Sequence, residues 1–164
     1  MIDFKEIKNK IVTKNNLYCL GVISIIFFLD RYTKVFILNN FTENTYYLND
    51  YINLDLVWNT GIGFGLFSSN SDIIYNLTSL LIIVVIICLI YFLIRSEKYE
   101  KIIYSIIVGG ALGNFYDRIF FKAVPDFIDL HYNNFHWFTF NLADIFITLG
   151  IIAFLFKEIF KANQ

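Results

Sequence analysis

Residues 73–94 carry no charged side chain. A run of that length matches the roughly 20 apolar residues a helix needs to cross a hydrocarbon core of about 30 Å. Three more apolar blocks, over residues 17–39, 102–121 and 141–160, have similar length, but each contains charge. A chain that is 57% hydrophobic and 16% charged, with mean hydropathy +0.60, is poor in charge beside the roughly 25% of average proteins. The expected fold is an all-α membrane protein, one domain over residues 1–164, with four transmembrane helices at about 17–39, 72–94, 102–121 and 141–160. The basic start and the apolar run 17–29 also suit a cleaved signal peptide. No small-residue cleavage site follows, however, and the apolar pattern resumes at Val35, so a retained first span is expected.

Lysines and arginines set the orientation. The tail with Lys5, Lys8, Lys10 and Lys14, the link 95–101, and the tail with Lys157 and Lys161 share one side, expected to be the cytoplasm. Residues 40–71 hold Glu43, Asp50 and Asp55 but no lysine or arginine, and the loop after Phe121 has Lys122 as its only such base, so both face out. Within the first outer segment, Ile52, Leu54, Leu56 and Trp58 alternate with Tyr51, Asn53, Asp55 and Val57. That period of two predicts a half-buried strand, its apolar face resting on lipid or on the helix tops. The glycine-rich turn over residues 59–65 lacks the spacing and lysine of a phosphate loop. His131 and His136 fall in a polar, aromatic loop at no zinc spacing and are read as solvated, while Cys19 and Cys88 are read as buried free thiols. A net charge of −1 without a basic stripe leaves no reason to expect nucleic acid as a partner.

Charge within a bilayer is expensive and marks function by default. At 1.5 Å per residue, Asp30 lies roughly 20 Å along the first span from the inside. Asn114 and Arg118 lie roughly 18 and 24 Å along the third, and Asp144 only about 5 Å in from the outside. Three spans thus bring polar groups to the same outer third. Asp30 and Lys34 are one turn apart and able to pair. Asn114 and Arg118 share a face with Gly110 one turn before them, and Asn141, a plausible N-cap, shares a face with Asp144 and Thr148. Gly109, Gly110, Ala111 and Gly113 permit close helix approach. Plainer roles stand beside these: a structural ion pair for Asp30 and Lys34, snorkelling for Arg118, packing alone for Gly109, and interfacial or structural places for Asp117 and Asp129.

Asp126 follows the glycine-rich third block and Asp144 begins the fourth, so the two carboxylates are expected to meet. Close together they cannot easily both ionise, and one is pushed to hold a proton near neutral pH. That provides a general base to activate water against a peptide carbonyl, and a general acid for the carbonyl oxygen and the leaving amine. Neither a metal nor any other cofactor is needed.

These residues resemble the lipoprotein signal peptidases (signal peptidase II) over nearly the whole chain. Asp30-Arg31-Tyr32-Thr33-Lys34 is similar to the first-span D-x-x-[ST]-K motif, and Asn59-Thr60-Gly61 through Phe64 to N-x-G-x-x-F. Residues 109–118 match GGALGN-x-x-DR, and Val124-Pro125-Asp126-Phe127 and Phe140-Asn141-Leu142-Ala143-Asp144 resemble the motifs that hold two catalytic aspartates. The resemblance implies a four-span aspartic endopeptidase of the bacterial cytoplasmic membrane. Its substrate would be a diacylglyceryl-modified prolipoprotein, cut before the lipidated cysteine, with an extracytoplasmic β cradle over about 40–71 and both termini cytoplasmic. It also implies that Asp126 and Asp144 are catalytic, that Asn114, Arg118 and Asn141 line the site, and that Asp30, Lys34 and Asn59 support it or touch substrate. Gly110 is placed in the same supporting group, membrane lipid is an expected partner, and the working unit is expected to be a monomer. Pro125, Phe138, Gly63 and Gly65 depart from the family's usual residues, and none touches the pair. The alternatives are a small ion-coupled transporter or channel component using the charges as a relay, which would often show internal repeats not found here, and a non-catalytic assembly protein.

Overall fold

A computed structural model describes residues 13–41, 45–61 and 72–162. Four helices, α1 (Lys14–Asn40), α2 (Asp72–Arg95), α3 (Lys98–Phe121) and α4 (Leu142–Ala162), occupy the four apolar blocks. Strands β1 (Tyr46–Asn49) and β2 (Ile52–Asn59) follow α1, and β3 (Val124–Tyr132) and β4 (Phe135–Phe140) join α3 to α4. Thr13 caps α1 by accepting from the Asn16 N–H at 3.1 Å. Lys122 ends α3 in the left-handed region, its N–H returning to the Arg118 carbonyl at 3.2 Å, and the chain turns straight into β3.

α3 is the central helix, packed on α1, α2 and α4, with α1 also touching α4. Glycine makes this possible at two contacts. A Cβ on Gly110 would lie 2.7 Å from the Ala143 carbonyl oxygen of α4, and one on Gly109 would lie 2.9 Å from Ile26 Cβ of α1. The partner helices are therefore seated against bare backbone. Polarity is inverted relative to a water-soluble bundle. Asp30, Lys34 and Asp117 are fully buried, while Leu17, Phe28, Leu80 and Phe160 are more than half exposed. Among the described residues, Tyr75–Arg95 is the one stretch long and apolar enough to cross a membrane by itself, with mean hydropathy 3.2. The other helices are interrupted by charges such as Asp30 and Lys34, Asp117 and Arg118, or Lys157 and Glu158.

The sheet is antiparallel throughout, in the order β1-β2-β3-β4, and closes the end of the bundle where α1 and α3 finish and α4 starts. Val57 faces Asp126 and Asn59 faces Val124, and an irregularity shifts the register between Leu54 and Val57. Several sequence-based expectations need correction here. Residues 124–140 form a hairpin and not a loop, so the cradle is larger than residues 40–71. In β2 the buried side chains are Asn53 and Asn59, not the apolar set, and Trp58 is 45% exposed. The reason is that this sheet's inner face meets a polar interior: Asn53 donates to Asp129 at 3.3 Å and Asn59 to Asp126 at 2.8 Å. His131 is buried, contrary to the solvated reading, whereas His136 is 56% exposed and bonds to Asp129 through Nδ1 at 2.7 Å. Cys19 is buried as expected, whereas Cys88 is exposed on the apolar outside of α2. The departures at Gly63 and Gly65, together with Phe64 of the turn, lie outside the described residues.

Gly110→Ala should force α3 and α4 apart and lower stability in detergent by about 1–3 kcal/mol. Gly21→Ala, where nothing lies within 4 Å, should be neutral or stabilising. Thermal melting of both variants checks the contrast; equal melting of wild type and Gly110→Ala would contradict the close packing.

Candidate active site

Asn141 starts the site because it joins β4 to α4 and caps that helix. Its Oδ1 accepts from the Asp144 N–H at 3.1 Å, and the Asp144 carboxylate accepts from the Asn141 N–H at 3.2 Å. This reciprocal pair is a capping box, which places Asp144 in the first turn of α4 facing back toward the sheet. The Asn141 amide then donates to Asp126 Oδ1 at 2.5 Å. One fully buried asparagine thus touches both acidic residues. Asp126 itself, on β3 and 2% exposed, has its other oxygen held by Asn59 of β2. Asn59 Oδ1 in turn accepts from the Gly61 N–H at 2.8 Å, shaping the start of the turn.

A second layer comes from α1 and α3. Asn114 Nδ2 donates to Asp144 Oδ1 at 2.8 Å, and its own Oδ1 accepts from Lys34 Nζ at 2.8 Å. Lys34 also meets Asp30 Oδ2 at 2.7 Å and Asp117 Oδ2 at 2.8 Å. Asp30 Oδ1 accepts from the Ala143 N–H at 3.1 Å, so α1 supplies a backbone contact to the residue beside Asp144. Arg118 does not snorkel. It is 5% exposed and donates to the carbonyls of Gly61 and Asn114, which pins the turn after β2 to α3. Gly110 touches no acidic residue; it seats Ala143 and so sets the depth of α4.

The structure therefore gathers Asp30, Lys34, Asn59, Asn114, Arg118, Asp126, Asn141 and Asp144 into one connected network, with Gly110 beneath it. Sequence reasoning gave Asp117 only an interfacial or structural place, and it is fully buried between Lys34 and Arg31. It also passed over Tyr75, whose hydroxyl donates to the Arg118 carbonyl at 2.5 Å. For Asp117 a signal existed, since it is the aspartate of the GGALGN-x-x-DR match, one turn beyond Gly113. Tyr75 carried none. Beside the network, a cavity of about 610 Å³ runs between α2, α3 and α4, its polar end formed by Asn114, Arg118 and Asp144 and its walls by residues such as Val85, Ile107 and Ile147. Burial, reinforced by the neighbouring Asp144 carboxylate, pushes Asp126 from the ordinary carboxylate range up to about 7, against the opposing hydrogen bonds from Asn59 and Asn141.

Residues 22–160 match the family described as Signal peptidase (SPase) II. The chain belongs to the signal peptidase II family. It is 45% identical over 159 residues to the lipoprotein signal peptidase of Pelagibacter ubique (strain HTCC1062), spanning 95% of this chain and 96% of that one. The lipoprotein signal peptidase of Anaplasma phagocytophilum (strain HZ) is 40% identical over 147 residues, spanning 87% and 92%. Among solved structures, a bacterial membrane enzyme determined by the in meso method at 2.3 Å shares the fold with TM-score 0.77 at 24% identity, covering 88% of this chain and 89% of that one. A second, at 1.9 Å, gives TM-score 0.72 at 25% identity over 85% and 91%. Family membership makes the chain a protease, and nothing among these relatives supports a transporter.

The raised Asp126 value has a thermodynamic consequence. Between about pH 4, where a free carboxylate ionises, and about pH 7, the folded chain keeps a proton that the unfolded chain releases. Its stabilising contribution is complete below that window and is lost as pH rises through it. Melting temperature should therefore fall from pH 4 to 7 with a slope that Asp126→Asn reduces. An unchanged slope in the variant would contradict the assignment.

Proposed function

We propose that the chain is an aspartic endopeptidase that removes signal peptides from diacylglyceryl-modified prolipoproteins, cutting before the lipidated cysteine. The observation that carries this reading is the pair of buried carboxylates, Asp126 and Asp144, on either side of Asn141, with Asp144 at the polar end of an apolar cavity. Asp126 holds its proton near neutral pH and serves as the acid. Asp144 faces N–H donors from Asn114 and Asn141, is held as an acceptor, and serves as the base. It takes a proton from water as the water oxygen bonds to the scissile carbonyl carbon. Asp126 gives its proton to the carbonyl oxygen. Collapse of the tetrahedral species breaks the C–N bond as the proton held by Asp144 passes to the departing amine and one hydroxyl of the diol returns its proton to Asp126, re-forming the C=O. The other network residues position this pair: Asn59 and Asn141 for Asp126, Asn114 with Lys34 and Asp30 for Asp144, and Arg118 for the adjoining turn.

In this reading, all four helices span the bacterial cytoplasmic membrane. Collected around α1 and α3, their charges face one another and not lipid, which makes spans of helices that would fail alone. Lys14, Lys101 and Lys161 lie at the end opposite the sheet, so that end is cytoplasmic, both termini are inside and the cradle is outside. Residues 1–164 act as one monomeric protease domain, surrounded by lipid and with no nucleic-acid partner.

Asp126→Asn or Asp144→Asn should each lower cleavage of a purified diacylglyceryl-modified precursor by more than about a hundredfold, with insertion and abundance unchanged. Normal turnover in both variants would exclude the mechanism. Chelators should leave the wild-type rate intact; a loss restored by zinc would favour metal chemistry instead. In the wild type, kcat/KM should decline as pH rises through about 7, when Asp126 gives up its proton.

A further inference from the structure

At the bundle end remote from the sheet, Lys101 in the first turn of α3 is only 9% exposed. Its ammonium donates to Asn16 Oδ1 at 2.6 Å and to the Ile94 carbonyl at 3.1 Å, which uses two of three N–H groups. Both partners are neutral. Among the described residues, no carboxylate makes an ion pair with it: Glu100 is paired with Lys157, and Glu97 is exposed. A buried cation without counter-charge is costly and favours an anion beside it. Space for one exists. A cavity of about 380 Å³ is lined by Lys101, Asn15, Tyr18 and Cys19. Cys19 is shared with a second cavity of about 290 Å³, walled by Leu17, Leu20, Ile23 and Leu93 and almost wholly apolar.

A chamber beside a buried ammonium, adjoining an apolar groove at Cys19, suits one molecule with an anionic head and a hydrocarbon tail. We propose that this is a binding site for an anionic phospholipid, its phosphate on Lys101, Asn15 and Tyr18 and an acyl chain in the groove between α1 and α2. Basic pockets between helices at the cytoplasmic face suit such headgroups. Lys14 and Arg95, which flank the lining residues in sequence, add to the positive field. Asn15 and Asp30 are about 22 Å apart along α1, so the site is separate from the acidic pair. Assignment to the inner leaflet rests on the orientation proposed above; the headgroup preference does not.

The test uses the full-length chain in micelles, titrated with phosphatidylglycerol or with phosphatidylcholine of the same acyl chains, and counts retained lipid by native mass spectrometry. Wild type and the Asp144→Asn variant should both retain phosphatidylglycerol at least about fivefold better than phosphatidylcholine, the weight of one lysine near an anionic surface. Lys101→Gln should lose that preference. Asn15→Glu, at an exposed position on the cavity rim, should weaken it by a similar factor while the cleavage rate in phosphatidylcholine micelles stays unchanged. Equal retention of the two lipids by wild type, an undiminished preference in Asn15→Glu, or loss of binding in Asp144→Asn would each overturn the proposal. Because Asp144→Asn is a proteolytically inactive form in the reading above, lipid retention succeeds or fails independently of the protease mechanism.

Discussion

The buried amide of Asn141 touches both acidic groups at once, and the local architecture is arranged to keep it there. Its position is over-determined: it is the last residue before α4, the cap of that helix, and the bridge from α4 to β3. Cap geometry fixes its backbone, and the reciprocal contact with Asp144 fixes its side chain. Without that residue, α4 and β3 would bring their carboxylates near each other with nothing to set their relative orientation. Burial makes the arrangement consequential, because a hydrogen bond in low dielectric is stronger and a missing one costs more.

Around this centre, charge is handled collectively. Lys34 faces Asp30, Asp117 and Asn114, and Arg31 shares Asp117, so two cations and two carboxylates of α1 and α3 offset one another far from water. An isolated ion at that depth would be unfavourable, while a paired and hydrogen-bonded set is tolerable. The same network ends on Asn114 and the Ala143 N–H, both adjacent to Asp144. Packing of the first helix is thereby coupled to the orientation of the fourth. The glycines of α3 belong to the same scheme, since only a bare backbone lets α1 and α4 come near enough for those short side chains to reach.

The sheet shows why alternation alone does not settle which face is buried. In β2 the polar positions Asn53 and Asn59 point inward, and in β3 Asp126, Asp129 and His131 are buried. Their partners are one another and the capped end of α4, which together form a polar interior. Trp58, Phe121 and Trp137 are left outside, as aromatic residues commonly are at a lipid–water interface. The usual inference, apolar in and polar out, assumes water beyond the sheet. Here Asn53 and Asn59 are the buried positions, Val57 and Trp58 are both exposed, and a register irregularity between Leu54 and Val57 interrupts the strict period of two.

Much of the candidate site was nevertheless legible beforehand. Four apolar blocks, the few charges inside them, and the motif spacing over 109–118 and 124–144 pointed to helices and to Asp126 and Asp144, because the cost of unpaired charge in hydrocarbon restricts where such residues occur. Depth counting also placed Asp30, Asn114, Arg118 and Asp144 at one level. Only the tertiary structure decided that residues 124–140 form a hairpin, that Arg118 folds inward onto Gly61, and that Arg31 pairs with Asp117 across 86 residues. It also decided that Asp126, enclosed between two asparagines and beside a second carboxylate, retains its proton to about pH 7. The physical reason is that periodicity and hydropathy are local properties of the chain. Partner choice, burial and the sign of a face depend on what lies opposite, and a sequence does not contain that information until it has folded.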